Sequence, residues 1–163
     1  MSRPHRLDPS EYVGFRQYFL TICTHERGRH FANADAVALV LEQFLRVAVA
    51  ERFAVLAYCF MPDHVHTLVE AQFETADLQR FVRLAKQQSG FVFLQVARRR
   101  LWQESYVERV VRSDESLPGL INYIIANPVR AGLVEAPFDY PHWGSQVYSR
   151  EEILEFAASV CRV

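Results

Sequence analysis

Two strand-like apolar runs, FAVLAYCFM (Phe53–Met61) and HVHTLVEA (His64–Ala71), meet at Pro62-Asp63, a short connection with the chemistry of a tight hairpin turn. On its outer side each run is followed by a segment of helical period and then by another β-branched or aromatic run. This near-symmetry about the hairpin is the strongest constraint on the fold. FRQYFLTICTH (Phe15–His25) is aromatic and β-branched and lacks Gly and Pro, which predicts a central strand. Between it and the hairpin, Val37, Val40, Leu41, Phe44, Leu45 and Ala48 recur at three- and four-residue spacing, with Asn33 or Asp35 available as N-cap.

Beyond the hairpin the same period returns at Leu78, Phe81, Val82, Ala85, Ser89, Val92, Phe93 and Val96, predicting a long second helix that tolerates Gly90. SYVERVVR (Ser105–Arg112) reads as the last strand. In the next segment Ser116 is a cap and Pro118 sits just inside a third helix. That helix is expected to end near Asn127, because Pro128 disfavours helical backbone in the residue before it. FDYPHWGSQVYS reads as a loop, and Ser149 with Glu152 forms a capping box for a terminal helix. The order β-α-β-β-α-β-α predicts an α+β, ferredoxin-like split βαβ fold. Its expected form is a four-stranded antiparallel sheet with helices on one face, the other face free for a site, and an extra C-terminal helix. One domain is expected over residues 1–163, with a core from about 15 to 144 and the last helix over 149–161.

Composition narrows the function classes. Half of the 163 residues are hydrophobic, enough to bury a core without covalent staples. Cys23, Cys59 and Cys161 are odd in number and scattered, which disfavours a disulfide framework or a cysteine zinc site and fits a reducing cytoplasm. No window reaches the ~20 apolar residues of a membrane span, so no membrane partner is expected. The net charge of −1 argues against purely electrostatic nucleic-acid binding. Its distribution is uneven: Arg80, Arg83, Lys86, Arg98, Arg99, Arg100, Arg109 and Arg112 are opposed only by Glu104 and Glu108 across residues 79–112. These are either a basic surface or solvated helix faces.

Strand side chains alternate, so His64 and His66 project to one face while Val65 points to the other. Two neutral imidazoles there can supply two ligands to a divalent ion, or form the polar outer stripe of a half-buried strand. Asp63 and Glu70 are nearby carboxylates, though parity turns Asp63 away. Tyr123 and Asn127 lie four apart, on one face of the third helix. Tyr123 is either a core aromatic or a nucleophile, and a phenol becomes an effective nucleophile only beside a base, a cation or an oriented electrophile. His5, His25, His30 and His142 have no partner at ligand spacing.

The stretch MPDHVHTLVE (Met61–Glu70) resembles the histidine-hydrophobe-histidine motif of the HUH single-tyrosine transposases. NYIIANPVRAGLV (Asn122–Val134) resembles the tyrosine segment of their REP-associated relatives, and LWQESYVERVVRSDESL (Leu101–Leu117) resembles the segment before the family's last strand. The resemblance implies that His64 and His66 bind Mg²⁺ or Mn²⁺, with Asn127 able to reach the metal. It implies that Tyr123 attacks single-stranded DNA to form a 5′-phosphotyrosine link, which a 3′-hydroxyl later resolves. The implied partner is single-stranded DNA carrying a hairpin or palindromic repeat, and both a monomer and a homodimer are compatible. Arg80, Arg83, Lys86 and Arg130 are candidate phosphate contacts, and Trp102 or Phe91 candidate base-stacking residues. The alternatives are a catalytically silent module that binds DNA or RNA hairpins on the same fold, and a two-histidine hydrolase that uses water in place of Tyr123.

Overall fold

The Asn33 side chain accepts from the backbone N–H groups of Asp35 and Ala36, starting helix α1 (Ala34–Ala50) at the expected cap. The computed structural model describes residues 6–160 of the chain, so His5 and Cys161 lie outside the described residues. Strand β1 (Gln17–Cys23) precedes α1, and the hairpin of β2 (Phe53–Met61) and β3 (His64–Ala71) follows it. Next come α2 (Leu78–Ala97), β4 (Val107–Val110), α3 (Leu117–Ile125) and the single turn α4 (Asn127–Arg130). A two-residue strand β5 (Trp143–Gly144) and α5 (Arg150–Val160) are the last strand and helix among the described residues.

The sheet runs β4-β1-β3-β2-β5 with every pairing antiparallel. Its first four strands have the order of a split βαβ fold. The expectation of four strands is corrected to five: Trp143 and Gly144, within the stretch read as a loop, pair with Cys59 and Tyr58. Two residues carry no period, which is why the pattern missed them. The third helix ends near Asn127, as expected, but a further turn follows it. The helix stops at Ile125, and Asn127 opens the further turn α4 with Pro128 in the first turn, where its missing N–H costs nothing.

Helices cover both faces, not one. On the first face Tyr18, Leu20 and Ile22 of β1 and Val65 and Val69 of β3 join Val40, Phe44, Phe81 and Val82 of α1 and α2 in one core. On the second face Leu56, Ala57, Cys59 and Met61 of β2 meet Leu120, Ile121, Ile124 and Ile125 of α3, with Trp143 and Ile153. A register shift between Val55 and Ala57 switches the parity of β2, so Phe53 and Val55 serve the first core and Ala57 and Cys59 the second. Because α3 and α5 pack over the β2 and β5 side, Phe19, Thr21, His64 and His66 stay only part-buried on the second face.

Candidate active site

The register of β1 on β3 places Thr21 opposite His66 and Cys23 opposite His64. Paired residues of an antiparallel ladder project to the same side, so Thr21 and His66 meet: their Oγ1 and Nδ1 atoms are 2.9 Å apart. Asp63, in the hairpin turn, places Oδ1 2.7 Å from His64 Nδ1. With both outer nitrogens held, the inner ones converge, and His64 Nε2 lies 3.1 Å from His66 Nε2. One directed chain of protons satisfies this row with neutral rings. Thr21 O–H donates to His66 Nδ1, His66 Nε2–H to His64 Nε2, and His64 Nδ1–H to the Asp63 carboxylate.

The donor set fits a divalent ion. Two nitrogens about 2.1 Å from one ion at a right angle stand about 3 Å apart, close to the separation seen here. To present both Nε2 lone pairs, only the His66 proton has to move to Nδ1, and the Thr21 hydroxyl can turn from donor to acceptor. Asp63, held on the far nitrogen of His64, would then orient that ring without itself being a ligand. Among the described residues no group of three or more His, Cys, Asp or Glu side chains is placed to hold an ion. Burial first, then the neighbouring His64 ring and the positive charges of Arg130 and Arg27, hold the His66 imidazole down to about 4. It is therefore neutral, as a ligand must be, across the physiological range. Burial alone would raise the Asp63 carboxyl, but the hydrogen bond to His64 and the charge of Arg27 outweigh it and leave it below its ordinary range.

Tyr123 comes to the same face from α3 and is 49% exposed. Its ring meets Phe19 edge-on at 5.8 Å between centroids, and Phe19 in turn lies 5.8 Å from the His66 ring. The Arg130 guanidinium lies over the Tyr123 ring, 3.9 Å from its centroid, and donates to the Tyr123 carbonyl at 2.9 Å. Asn127 Nδ2 donates to the carbonyls of Tyr123 and Ile124 at 3.0 and 3.1 Å, capping the end of α3. The fold therefore brings His64, His66, Tyr123 and Arg130 to one face, with Asn127 tied to the Tyr123 backbone.

The other candidate phosphate contacts stand elsewhere. Arg80, Arg83 and Lys86 lie on α2, which packs against the opposite face. Arg80 is paired with Glu51 at 2.7 Å. Lys86 turns inward to donate to the carbonyls of Gln103 and Glu104, and burial, with Arg100 and Arg6 nearby, lowers its amine to about 8. Arg83 is exposed and lines, with Lys86 and Arg100, a cavity of about 480 Å³ between α2 and residues 100–106. Of the two stacking candidates Phe91 is exposed, but Trp102 is buried and donates to Ser89 Oγ, so it is a core residue. Packing decided this, since Trp102 fills the space between Phe31 and Phe44. His25 lies near Glu26, His30 packs on Phe93, and His142 on Tyr140, away from the pair. Thr21, Phe19 and Arg27 were not singled out from the sequence, because their roles depend on strand register and a loop's path. Among the described residues no helix is long and apolar enough to cross a membrane.

Residues 15–127 match the family model described as transposase, IS200-like. A Haemophilus influenzae protein assigned as a REP-associated tyrosine transposase is 27% identical over 138 residues, spanning 77% of each chain. A solved REP-associated tyrosine transposase bound to a REP hairpin is similar at a TM-score of 0.72, covering 88% of this chain and 82% of that one, at 21% identity. A Deinococcus radiodurans protein assigned as a transposase gives 0.54, covering 66% of this chain and 88% of its own, at 23% identity. At these identities the two solved structures establish a shared fold.

Proposed function

The chain belongs to the IS200-like transposase family, and from that premise we propose that it cleaves and rejoins single-stranded DNA with Tyr123 as nucleophile. The observation that carries this reading is the pair of His64 and His66 Nε2 atoms facing at 3.1 Å, with Tyr123 one aromatic ring away on the same face. His64 and His66 would hold Mg²⁺ or Mn²⁺, with Asn127 the candidate third protein ligand. When bound, the ion supplies Lewis-acid polarisation of a phosphate oxygen and orientation of the 3′ leaving oxygen.

The rest of the work falls to side chains. Asp63 and Thr21 hold the outer imidazole nitrogens and so aim the inner ones. The Tyr123 oxygen attacks the phosphorus in line, the bond to the 3′ oxygen breaks, and the phenol's proton passes through solvent to that departing oxygen, leaving a 5′-phosphotyrosine link and a 3′-hydroxyl. A 3′-hydroxyl attacking that link rejoins DNA and returns the tyrosine, so the phosphoryl bond energy is conserved through both steps. Arg130, beside Tyr123, is the candidate phosphate contact at the reacting centre. Arg83 can meet DNA only behind the sheet, while Arg80 and Lys86 are engaged with Glu51 and with backbone carbonyls and are the weaker candidates.

The solved relative bound to a REP hairpin supports single-stranded DNA folded into a hairpin as the partner. The same reading places the protein with the DNA, in the cytoplasm. The test is incubation with hairpin oligonucleotide and Mg²⁺, followed by denaturing electrophoresis. The expected result is a covalent protein–DNA adduct that is lost in Tyr123→Phe while hairpin binding is retained. Cleavage that persists in Tyr123→Phe would replace the tyrosine with activated water, and binding without an adduct under any divalent ion would leave a silent hairpin-binding module.

A further inference from the structure

Immediately after β1 the backbone takes a costly path. Glu26 (φ 52°, ψ 24°) and Arg27 (φ 57°) are consecutive non-glycine residues in the left-handed region. Such strain persists only where the surroundings over-determine it, and here they do. Buried Thr24 donates its backbone N–H to the Asp63 carbonyl at 3.0 Å, and its hydroxyl lies within 2.9 Å of that carbonyl and 2.8 Å of the Gly28 carbonyl. His25 N–H donates to the Leu101 carbonyl, and Phe31 N–H to that of Pro62. The strained turn is thereby stitched to the hairpin turn that carries Asp63.

The strain delivers one side chain. Arg27 Nε lies 2.9 Å from Asp63 Oδ2, while the other carboxylate oxygen, Oδ1, holds His64 Nδ1. Arg27 Nη1 also donates to Cys23 Sγ at 2.7 Å, and Cys23 is the register partner of His64. The guanidinium is thus anchored at two points and the carboxylate is bridged through both oxygens, which stops it from rotating. Side chains as exposed as that of Arg27, 54%, give ion pairs little weight in stability, so this pair by itself adds little to the energy that holds the turn. Its structural consequence is orientation: with Arg27 on one side, Asp63 can face only the outer nitrogen of His64.

We propose that Arg27 is a positioning residue of the candidate active site: by clamping Asp63 it locks His64 as the Nδ1–H tautomer, with the Nε2 lone pair turned to the gap shared with His66. It also keeps the Asp63 carboxylate out of that gap. The functional meaning of this device rests on the metal-binding reading given above, but the tautomer is a property of the metal-free chain.

Two measurements on the full chain separate the two. In metal-free protein labelled with ¹⁵N-histidine, nuclear magnetic resonance at a pH above imidazole titration reports which His64 nitrogen carries the proton. The wild type is expected to show Nδ1–H. Arg27→Ala is expected to shift the His64 signals toward a mixture of tautomers, with partial recovery in Arg27→Lys, which keeps the charge but loses the fork. Calorimetric titration with Mn²⁺ is expected to weaken by tenfold to a hundredfold in Arg27→Ala, as for other outer-shell partners. In Arg27→Ala/Asp63→Ala it should weaken no further than in Asp63→Ala alone, because the two act in series. Should Arg27→Ala fail to fold, Arg27→Lys with both readouts takes its place. Unchanged His64 signals, or an effect that adds in full to that of Asp63→Ala, would overturn the proposal. A wild type that binds no Mn²⁺ would overturn the metal assignment instead, leaving the tautomer readout to decide the role of Arg27.

Discussion

The Arg130 guanidinium is stacked on Tyr123, 3.9 Å from the ring centroid, and is tied to the same residue's carbonyl at 2.9 Å. A cation held over an aromatic face is attracted by about 0.5–2 kcal/mol, and the attraction grows as the phenol gives up its proton on the way to attack. Arg130→Ala is therefore expected to slow adduct formation by roughly twofold to thirtyfold, from that energy range at 1.4 kcal/mol per decade. Arg130→Lys should recover part of the loss. Single-turnover cleavage of a hairpin oligonucleotide, measured beside equilibrium hairpin binding, checks this. A rate unchanged in Arg130→Ala would remove the arginine from the reacting centre.

Metal binding has a readout that needs no DNA. An ion that binds only the folded chain stabilises it by about 2.7 kcal/mol at a hundredfold excess over its Kd. At about 2–4 °C per kcal/mol for a chain of this length, Mn²⁺ is expected to raise the wild-type Tm by roughly 5–11 °C. His64→Ala and His66→Ala should each abolish the rise, because each removes one of the two converging nitrogens. An equal rise in these variants would mean that the ion sits elsewhere.

Acid should weaken the metal-free fold in a defined window. The His66 imidazole is held down to about 4 in the folded chain, first by burial and then by neighbouring positive charge, against 6.5 as its ordinary value. Below about 6.5 the unfolded chain therefore takes up a proton that the folded chain refuses. Its contribution to stability is complete above that pH and is lost as the pH falls toward about 4. Burial lowers His30 and His142 as well, and they act in the same direction. The decisive quantity is the difference between wild type and His66→Gln. Urea unfolding from pH 7 to 4.5 is expected to show a shallower loss in the variant, and parallel curves would contradict it.

Ile124, fully buried on α3 in the second core, is neighbour to Tyr123 in sequence and anchors the helix that presents it. Ile124→Ala is expected to cost about 2–5 kcal/mol, the range for deleting a large aliphatic side chain from a core. It should lower the urea midpoint and reduce adduct yield more than hairpin binding, because the histidine pair stands on β3. A midpoint shift equal to that of an exposed substitution such as Val96→Ala would show that α3 is not packed as described.

What could be read from the chain alone was whatever is encoded over a short window. The periods of α1, α2 and α3, the caps at Asn33, Ser116 and Ser149, the hairpin at Pro62-Asp63 and the shared side of His64 and His66 each depend on residues a few positions apart. Strand order followed from them, since few topologies accommodate that succession of elements. The two-residue β5, the parity switch in β2 and the helices on the second face were not legible, because each is settled by contact between distant segments. The same division runs through the site. Both imidazoles and Tyr123 were visible as motif residues, but the partners that aim them were not. Thr21 reaches His66 only through the β1–β3 register, Asp63 turns to His64 only under the Arg27 clamp, and Phe19 meets Tyr123 only because α3 folds back over the sheet. Side-chain type and spacing are local properties of a chain, whereas the direction in which an imidazole lone pair points is set by the groups that its outer nitrogen meets, and those arrive from elsewhere in the sequence.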